Sequence, residues 1–200
     1  MPLISLVGMP GGGKSTVGRQ LAKQLGLPFF DSDHEIEAHI GMSIRSFFEL
    51  HGEPAFRDLE TQTIERLSRG PHCVLATGGG APLREQNRQI LREHTHVIYL
   101  RSTPEDLFRR LRHDTTRPLL QVKDPLKRLR DLFRERDPLY LRAAHFVIET
   151  GRPSVPALLQ MILMQLELAG LVDASRVPSP IDPHVEPFAA PAVGPEPGPA

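Results

Sequence analysis

The chain has 200 residues, 40% of them hydrophobic, and 24 Lys and Arg balance 24 Asp and Glu to a formal net charge of zero. That length and apolar fraction suit one domain with a sizeable core and make a second full domain unlikely in size terms. The balanced charge gives no argument for nucleic acid or an anionic membrane as an obligatory partner, and no uninterrupted apolar run is long enough to span a bilayer.

From the N-terminus, Leu3 to Val7 is a short apolar run that reads as a strand. It delivers Gly-Met-Pro-Gly-Gly-Gly-Lys-Ser at Gly8 to Ser15. The octet fits the phosphate-loop pattern G-x-x-x-x-G-K-[ST], and a periodic segment from Ser15 to Leu25 leaves it as a helix. In that strand-loop-helix setting the main-chain N–H groups of Gly11, Gly12 and Gly13, and of Ser15 and Thr16 at the helix start, converge on one anion. Glycine lets the backbone approach phosphate oxygens where a Cβ would intrude, Lys14 reaches the β and γ phosphates, and the Ser15 hydroxyl suits magnesium. A bound nucleoside triphosphate is the expectation. The chain opens directly on this strand, without the order of a secretory signal, and the lone Cys73 cannot close an internal disulfide, so a cytoplasmic location is expected.

Four more apolar runs follow, at Pro28 to Phe30, Cys73 to Ala76, Val97 to Leu100 and Phe146 to Ile148. Helical segments fall at 34–41, 44–51, 54–69, 84–93, 104–111, 125–142 and 154–169. Alternation of strand and helix predicts an α/β fold: a three-layer α/β/α sandwich around a five-stranded parallel sheet, with ligands at the carboxyl ends of the strands. The chemically loaded segments lie at such ends: the phosphate loop, Asp31-Ser32-Asp33 after the second strand, and Thr77-Gly78-Gly79-Gly80 after the third. Alternate residues of an extended segment point the same way, so Asp31 and Asp33 are both expected to face the loop, one near the metal and one near an incoming hydroxyl. Cys73, inside its apolar run, reads as a small core residue.

Half of the 24 Lys and Arg fall between Arg101 and Arg142, either as a clamp for an anionic ligand or as a solvated helical face. The stretch from 112 to 123 is polar, basic and without clear period, and reads as a mobile lid. The domain is expected to span residues 1–171. Beyond it, residues 172–200 carry eight prolines between Pro178 and Pro199 and few apolar residues, so this tail is expected to be disordered or polyproline-like.

A guanine-specific switch needs Asn-Lys-x-Asp, yet the only asparagine, Asn87, is followed by Arg88. A large mechanical ATPase needs partner domains or a hydrolytic carboxylate after the third strand, which instead ends in glycines. The order Gly8 to Thr16, Asp31-Ser32-Asp33, Phe56-Arg57-x-x-Glu60, Ala76-Thr77-Gly78-Gly79-Gly80, Arg117-Pro118-Leu119-Leu120 and Arg136-x-Pro138-Leu139-Tyr140 resembles shikimate kinase from about Leu3 to Leu168. The resemblance implies a P-loop kinase fold with a lid. It implies transfer of the γ-phosphoryl group of ATP, with magnesium, to the 3-hydroxyl of shikimate on the route to chorismate and the aromatic amino acids, by a monomer.

Shikimate is a carboxylate bearing ring hydroxyls. Arg57 and Arg136 suit its carboxylate as planar forks, Asp33 suits the hydroxyl as orienting group and proton acceptor, and the N–H groups of Gly78, Gly79 and Gly80 suit close approach to the ring. Alternatively, Arg57 pairs with Glu60 or Asp58, and Arg136 with Glu135 or Asp137. Ser15 binds the metal, with Asp31 reaching it through water, and Lys14 neutralises the β–γ bridge. Arg117 is expected to swing in with the lid onto the transferring phosphoryl group. The family sets an arginine against adenine, which Arg110 matches, and the Thr150-Gly151-Arg152-Pro153 loop closes the other side. Phe48 and Phe56 line the acceptor pocket or belong to the core. Two rivals remain: a gluconate kinase of the same class, and a scaffold that has kept the fold and lost catalysis.

Overall fold

A computed structural model of the chain describes residues 2–112, 122–151 and 153–173. The lid expectation, with Arg117, falls outside the described residues except at its two ends; so do Arg152 and the tail beyond Asp173. Strands β1 (Ile4–Val7), β2 (Phe29–Asp31), β3 (Val74–Ala76), β4 (His96–Arg101) and β5 (Phe146–Glu149) form one parallel sheet in the order β2-β3-β1-β4-β5. The central strand β1 pairs Ser5 with Leu75 on one side and with Val97 on the other.

Strand parity sorts the core into two clusters. Ile4 and Leu6 of β1, Ile98 and Leu100 of β4 and Val74 of β3 face helices α1 (Lys14–Leu25) and α7 (Val155–Leu168). Val7, Leu75, Val97 and Tyr99 face the opposite layer, built from α3 (Ile44–Ser68), α4 (Glu85–His94), α5 (Pro104–Leu111) and α6 (Pro125–Ala143). The α/β/α sandwich follows from that division. Cys73 is 1% exposed, and burial pushes its thiol up to about 11, as a core residue requires.

The short helix α2 (Ser32–Ile40) begins one residue after β2 ends. Helix α3 changes direction at Gly52, whose φ of 78° and ψ of 169° no helical residue adopts. The two expected segments 44–51 and 54–69 are therefore halves of one kinked element, with Pro54 starting the second half where its missing N–H costs nothing. A 3₁₀ turn at Ala81–Leu83, which periodicity could not reveal, joins β3 to α4.

At the opposite edge of β4 and β5 from the phosphate loop, Val97 N–H donates to His145 Nδ1 at 3.0 Å, and His145 N–H donates to Val97 O at 2.8 Å. The acceptor role requires a neutral imidazole. Burial, then Arg92 and His96, hold the His145 pKa below its ordinary 6.5. A depressed histidine contributes stability that is complete above the unfolded value and is lost as pH falls through it. The urea midpoint is therefore expected to drop from pH 7 to pH 5.5, and His145→Asn to flatten that drop; an unchanged slope would remove His145 from the acid response.

Candidate active site

The loop after β1 is shaped by its glycines. Gly13, at φ 86° and ψ 11°, sits in the left-handed region and caps α1, so Lys14 begins the helix directly beneath the loop. Gly12 N–H donates to Met9 O at 3.0 Å and closes the turn, which takes it out of the cavity lining. Lys14 is 8% exposed and its Nζ donates to the carbonyls of Gly8 and Met9 at 2.9 and 3.0 Å, arching over the loop. Pro10, Gly11, Gly13, Lys14, Ser15 and Thr16 line one wall of a cavity of about 370 Å³. Asp31, Asp33, Thr77, Gly78 and Gly79 line the other.

Asp31 and Asp33 reach this cavity by a route other than strand alternation. The strand ends at Asp31, and Asp33 lies in the first turn of α2. Asp31 caps that helix, its Oδ1 accepting from Asp33 N–H at 3.1 Å, while its Oδ2 accepts from Ser15 Oγ at 2.6 Å. One carboxylate thus ties the phosphate-loop helix to α2 and sets the direction of Asp33. Burial first, then the charge of Asp31, raises the Asp33 pKa above its ordinary 3.8, against the pull of Lys14 and Arg57. A carboxylate so placed is a stronger proton acceptor than one in water.

The triple glycine works by proximity. A Cβ on Gly78 would stand 2.5 Å from Asp33 Oδ1, so only glycine admits the carboxylate there. Gly78 N–H is already committed, donating to the buried Ser32 Oγ at 2.9 Å, and does not point to an acceptor molecule as the sequence suggested. Gly79 turns its carbonyl to Arg136 Nη1 at 3.3 Å and Tyr140 Oη at 2.7 Å. Gly80 lies against the Arg57 guanidinium.

Arg57 is in a buried pair, with its Nη1 2.7 Å from Glu60 Oε2 and its Nη2 2.9 Å from Glu53 Oε1. Its side chain is 14% exposed and that of Glu60 is 1% exposed. The pairing with Glu60 and the place beside the site, offered as alternatives from sequence, therefore coexist; Asp58 pairs instead with Arg84. The i, i+3 spacing of Glu60 from Arg57 was the signal for that pairing in the sequence. Burial holds its carboxyl above the usual 4.5 despite the guanidinium. Phe56 is 4% exposed, stacks 4.6 Å from Phe48, and supports Arg57 from below at 5.3 Å, which is a core role.

Arg136 Nε is buried with no hydrogen-bond partner among the described residues. Asp137 is engaged elsewhere, by Arg101 and Tyr99. Arg110 Nη2 donates to Ser102 Oγ at 2.9 Å and Thr150 Oγ1 at 3.3 Å, which brings it to the start of the loop containing Gly151 and Pro153. Among the described residues there is no cluster of three His, Cys, Asp or Glu able to hold a metal alone. The adjacent oxygens of Ser15 and Asp31 nevertheless fit magnesium, a hard cation that takes one or two protein oxygens and completes its shell with phosphates and water.

A parallel sheet that carries a phosphate loop on its central strand, with Lys14 over the loop and a half-buried carboxylate facing it, defines a P-loop kinase. The sequence model of the shikimate kinase family matches residues 10–167, and the chain belongs to that family. It is 61% identical over 180 residues to a shikimate kinase of Paracidovorax citrulli, covering 88% of this chain and 96% of that one. With a shikimate kinase of Ralstonia nicotianae it shares 55% identity over 177 residues, 88% of this chain and 93% of the relative. A solved shikimate kinase from Acinetobacter baumannii in complex with shikimate superposes with a TM-score of 0.79 at 46% identity, over 86% of this chain and 96% of that one. Among the described residues no helix is long and apolar enough to cross a membrane.

The Arg57–Glu60 pair is a checkable part of this architecture. Glu60→Ala is expected to cost about 3 kcal/mol in urea unfolding, because the Arg57 charge loses its buried partner. An unchanged midpoint would mean that Glu53 alone suffices for Arg57.

Proposed function

We propose that this chain transfers the γ-phosphoryl group of ATP to the 3-hydroxyl of shikimate, yielding 3-phosphoshikimate and ADP, a step towards chorismate and the aromatic amino acids. The observation that carries the proposal is the position of Asp33: a half-buried carboxylate across one cavity from the phosphate loop, with the Arg57 fork behind it. Membership of the family and the shikimate bound by the Acinetobacter baumannii relative support the choice of acceptor. We assign the chain to the cytoplasm as a monomer that needs neither nucleic acid nor membrane.

Phosphoryl transfer asks little covalent work of a protein; positioning and charge stabilisation dominate. ATP binds with its phosphates on the N–H groups of Gly11, Gly13, Ser15 and Thr16, and Lys14 leaves the loop carbonyls for the β and γ oxygens. Ser15, with Asp31 nearby, would hold magnesium, which would supply positive charge against the phosphate oxygens. The shikimate carboxylate is taken by the forks of Arg57 and Arg136, which sets the ring over Gly79 and Gly80 and brings the 3-hydroxyl to Asp33. Asp33 orients that hydroxyl and receives its proton as the oxygen attacks phosphorus in line. Arg110 and Pro153 flank the adenine, and Arg117 and Arg152 complete the nucleotide side, Arg117 on the transferring group.

A coupled ADP-release assay with magnesium-ATP tests the reaction. Turnover that depends on shikimate and is absent with gluconate is expected; gluconate-dependent ADP release would transfer the fold to another acceptor. Asp33→Asn is expected to lower kcat on the order of a thousandfold with an unaltered circular-dichroism spectrum, and retention of most turnover would exclude Asp33 as the base. The acid limb of wild-type kcat is expected above pH 3.8, since Asp33 must be ionised to accept a proton and its pKa is raised. Arg117→Ala is expected to depress kcat far more than ATP affinity, and equal losses in both would contradict its part in the transfer step.

A further inference from the structure

Asp137, next in sequence to Arg136, is 9% exposed and its two oxygens take three donors. Tyr99 Oη and Arg101 Nε each lie 2.8 Å from Oδ1, and Arg101 Nη2 lies 2.9 Å from Oδ2. Both donor residues belong to β4, so a bidentate fork and a phenol grip one face of α6 against the sheet. Arg101 is braced in turn by Glu149 of β5, Nη1 to Oε1 at 3.1 Å, and stands over the Phe133 ring at 5.6 Å. One turn beyond Arg136, Tyr140 Oη donates to Gly79 O at 2.7 Å, with its ring 5.0 Å from that of Tyr99.

Apolar packing through Leu129, Leu132 and Ala143 holds α6 on the sheet, but hydrophobic attraction is non-directional and leaves rotation about the helix axis weakly determined. A planar guanidinium on a carboxylate is directional. Successive helix residues point about 100° apart, so fixing Asp137 fixes the direction of Arg136. Burial of an acid also requires a purpose, because a buried ion pair gives little net stability over apolar residues of the same shape.

We infer that Asp137, held by Tyr99 and Arg101, is a positioning residue: it locks the rotation of α6 and thereby aims Arg136 at the carboxylate of the acceptor. The inference rests on the proposed role of Arg136 as a carboxylate partner. Titration calorimetry of shikimate, and separately of magnesium-ATP, on the full chain tests it with Asp137→Asn, Tyr99→Phe and Arg136→Lys. Asp137→Asn is expected to weaken shikimate binding on the order of tenfold, and Tyr99→Phe, a near-isostere lacking only the hydroxyl, about threefold. Magnesium-ATP binding is expected to stay within about twofold in both, because the nucleotide wall does not include α6. Wild-type shikimate affinity in both variants, beside a weakened Arg136→Lys, would overturn the positioning role. Equal weakening for both ligands would overturn it too, as general loosening of the sheet. An Arg136→Lys protein that binds shikimate normally would instead remove the role of Arg136, and the inference with it. Should Asp137→Asn fail to fold, Tyr99→Phe decides alone.

Discussion

The site hangs on one carboxylate that takes no part in the chemistry proposed for its neighbour. Asp31 accepts from Ser15 Oγ and from Asp33 N–H, so the helix that follows the phosphate loop and the helix that follows β2 share an anchor. Without that anchor the two walls of the cavity are carried by separate elements, related by sheet pairing and by the packing of Pro10 on Gly79 and of α1 on Phe29. With it, Asp33 is delivered at a fixed angle to the loop. Its helix start favours a carboxylate through both the capping hydrogen bond and the positive end of the helix dipole.

Charge in this cavity is arranged as a graded series. Lys14 stands on one side, Asp31 and Asp33 in the middle, and the Arg57–Glu60 pair behind. Burial raises both Asp33 and Glu60, so neither acid is held ionised by its surroundings as strongly as its proximity to cations suggests. For Asp33 this favours proton acceptance. For Glu60 the cause is its burial, and its hydrogen bond to Arg57 Nη1 at 2.7 Å pulls the other way. The Arg136 side of the pocket is built differently. There the acid is turned away to Arg101 and Tyr99, and Arg136 faces Gly79 through a long hydrogen bond.

Much of this was legible in the residues. Strand-loop-helix order around Gly8 to Ser15 requires only local geometry, and the structure has that strand, loop and helix, with Gly11, Gly13, Lys14 and Ser15 lining the cavity. Helix limits at 104–111 and 125–142 coincide with α5 and nearly with α6, because Thr103 and Asp124 cap them and proline stands at each first position. The expected break between 51 and 54 corresponds to Gly52, whose conformation only glycine tolerates. Asp33 lines the cavity, but not by strand alternation: the sequence pattern read Asp31 to Asp33 as extended, whereas helix α2 starts between them.

What the sequence determined by itself was whatever depends on near neighbours along the chain: the phosphate loop, the alternation that makes a parallel sheet, the small buried role of Cys73, and the ordered motifs that mark the family. The tertiary structure decided the partners of residues far apart in number. Ser32 took Gly78 N–H, Asp137 took Arg101 and Tyr99, and Arg57 combined a buried ion pair with a place at the site. The physical reason is that charged and hydrogen-bonding side chains have many possible partners of similar strength in solution. Only the packing of the sheet and its helices selects among them.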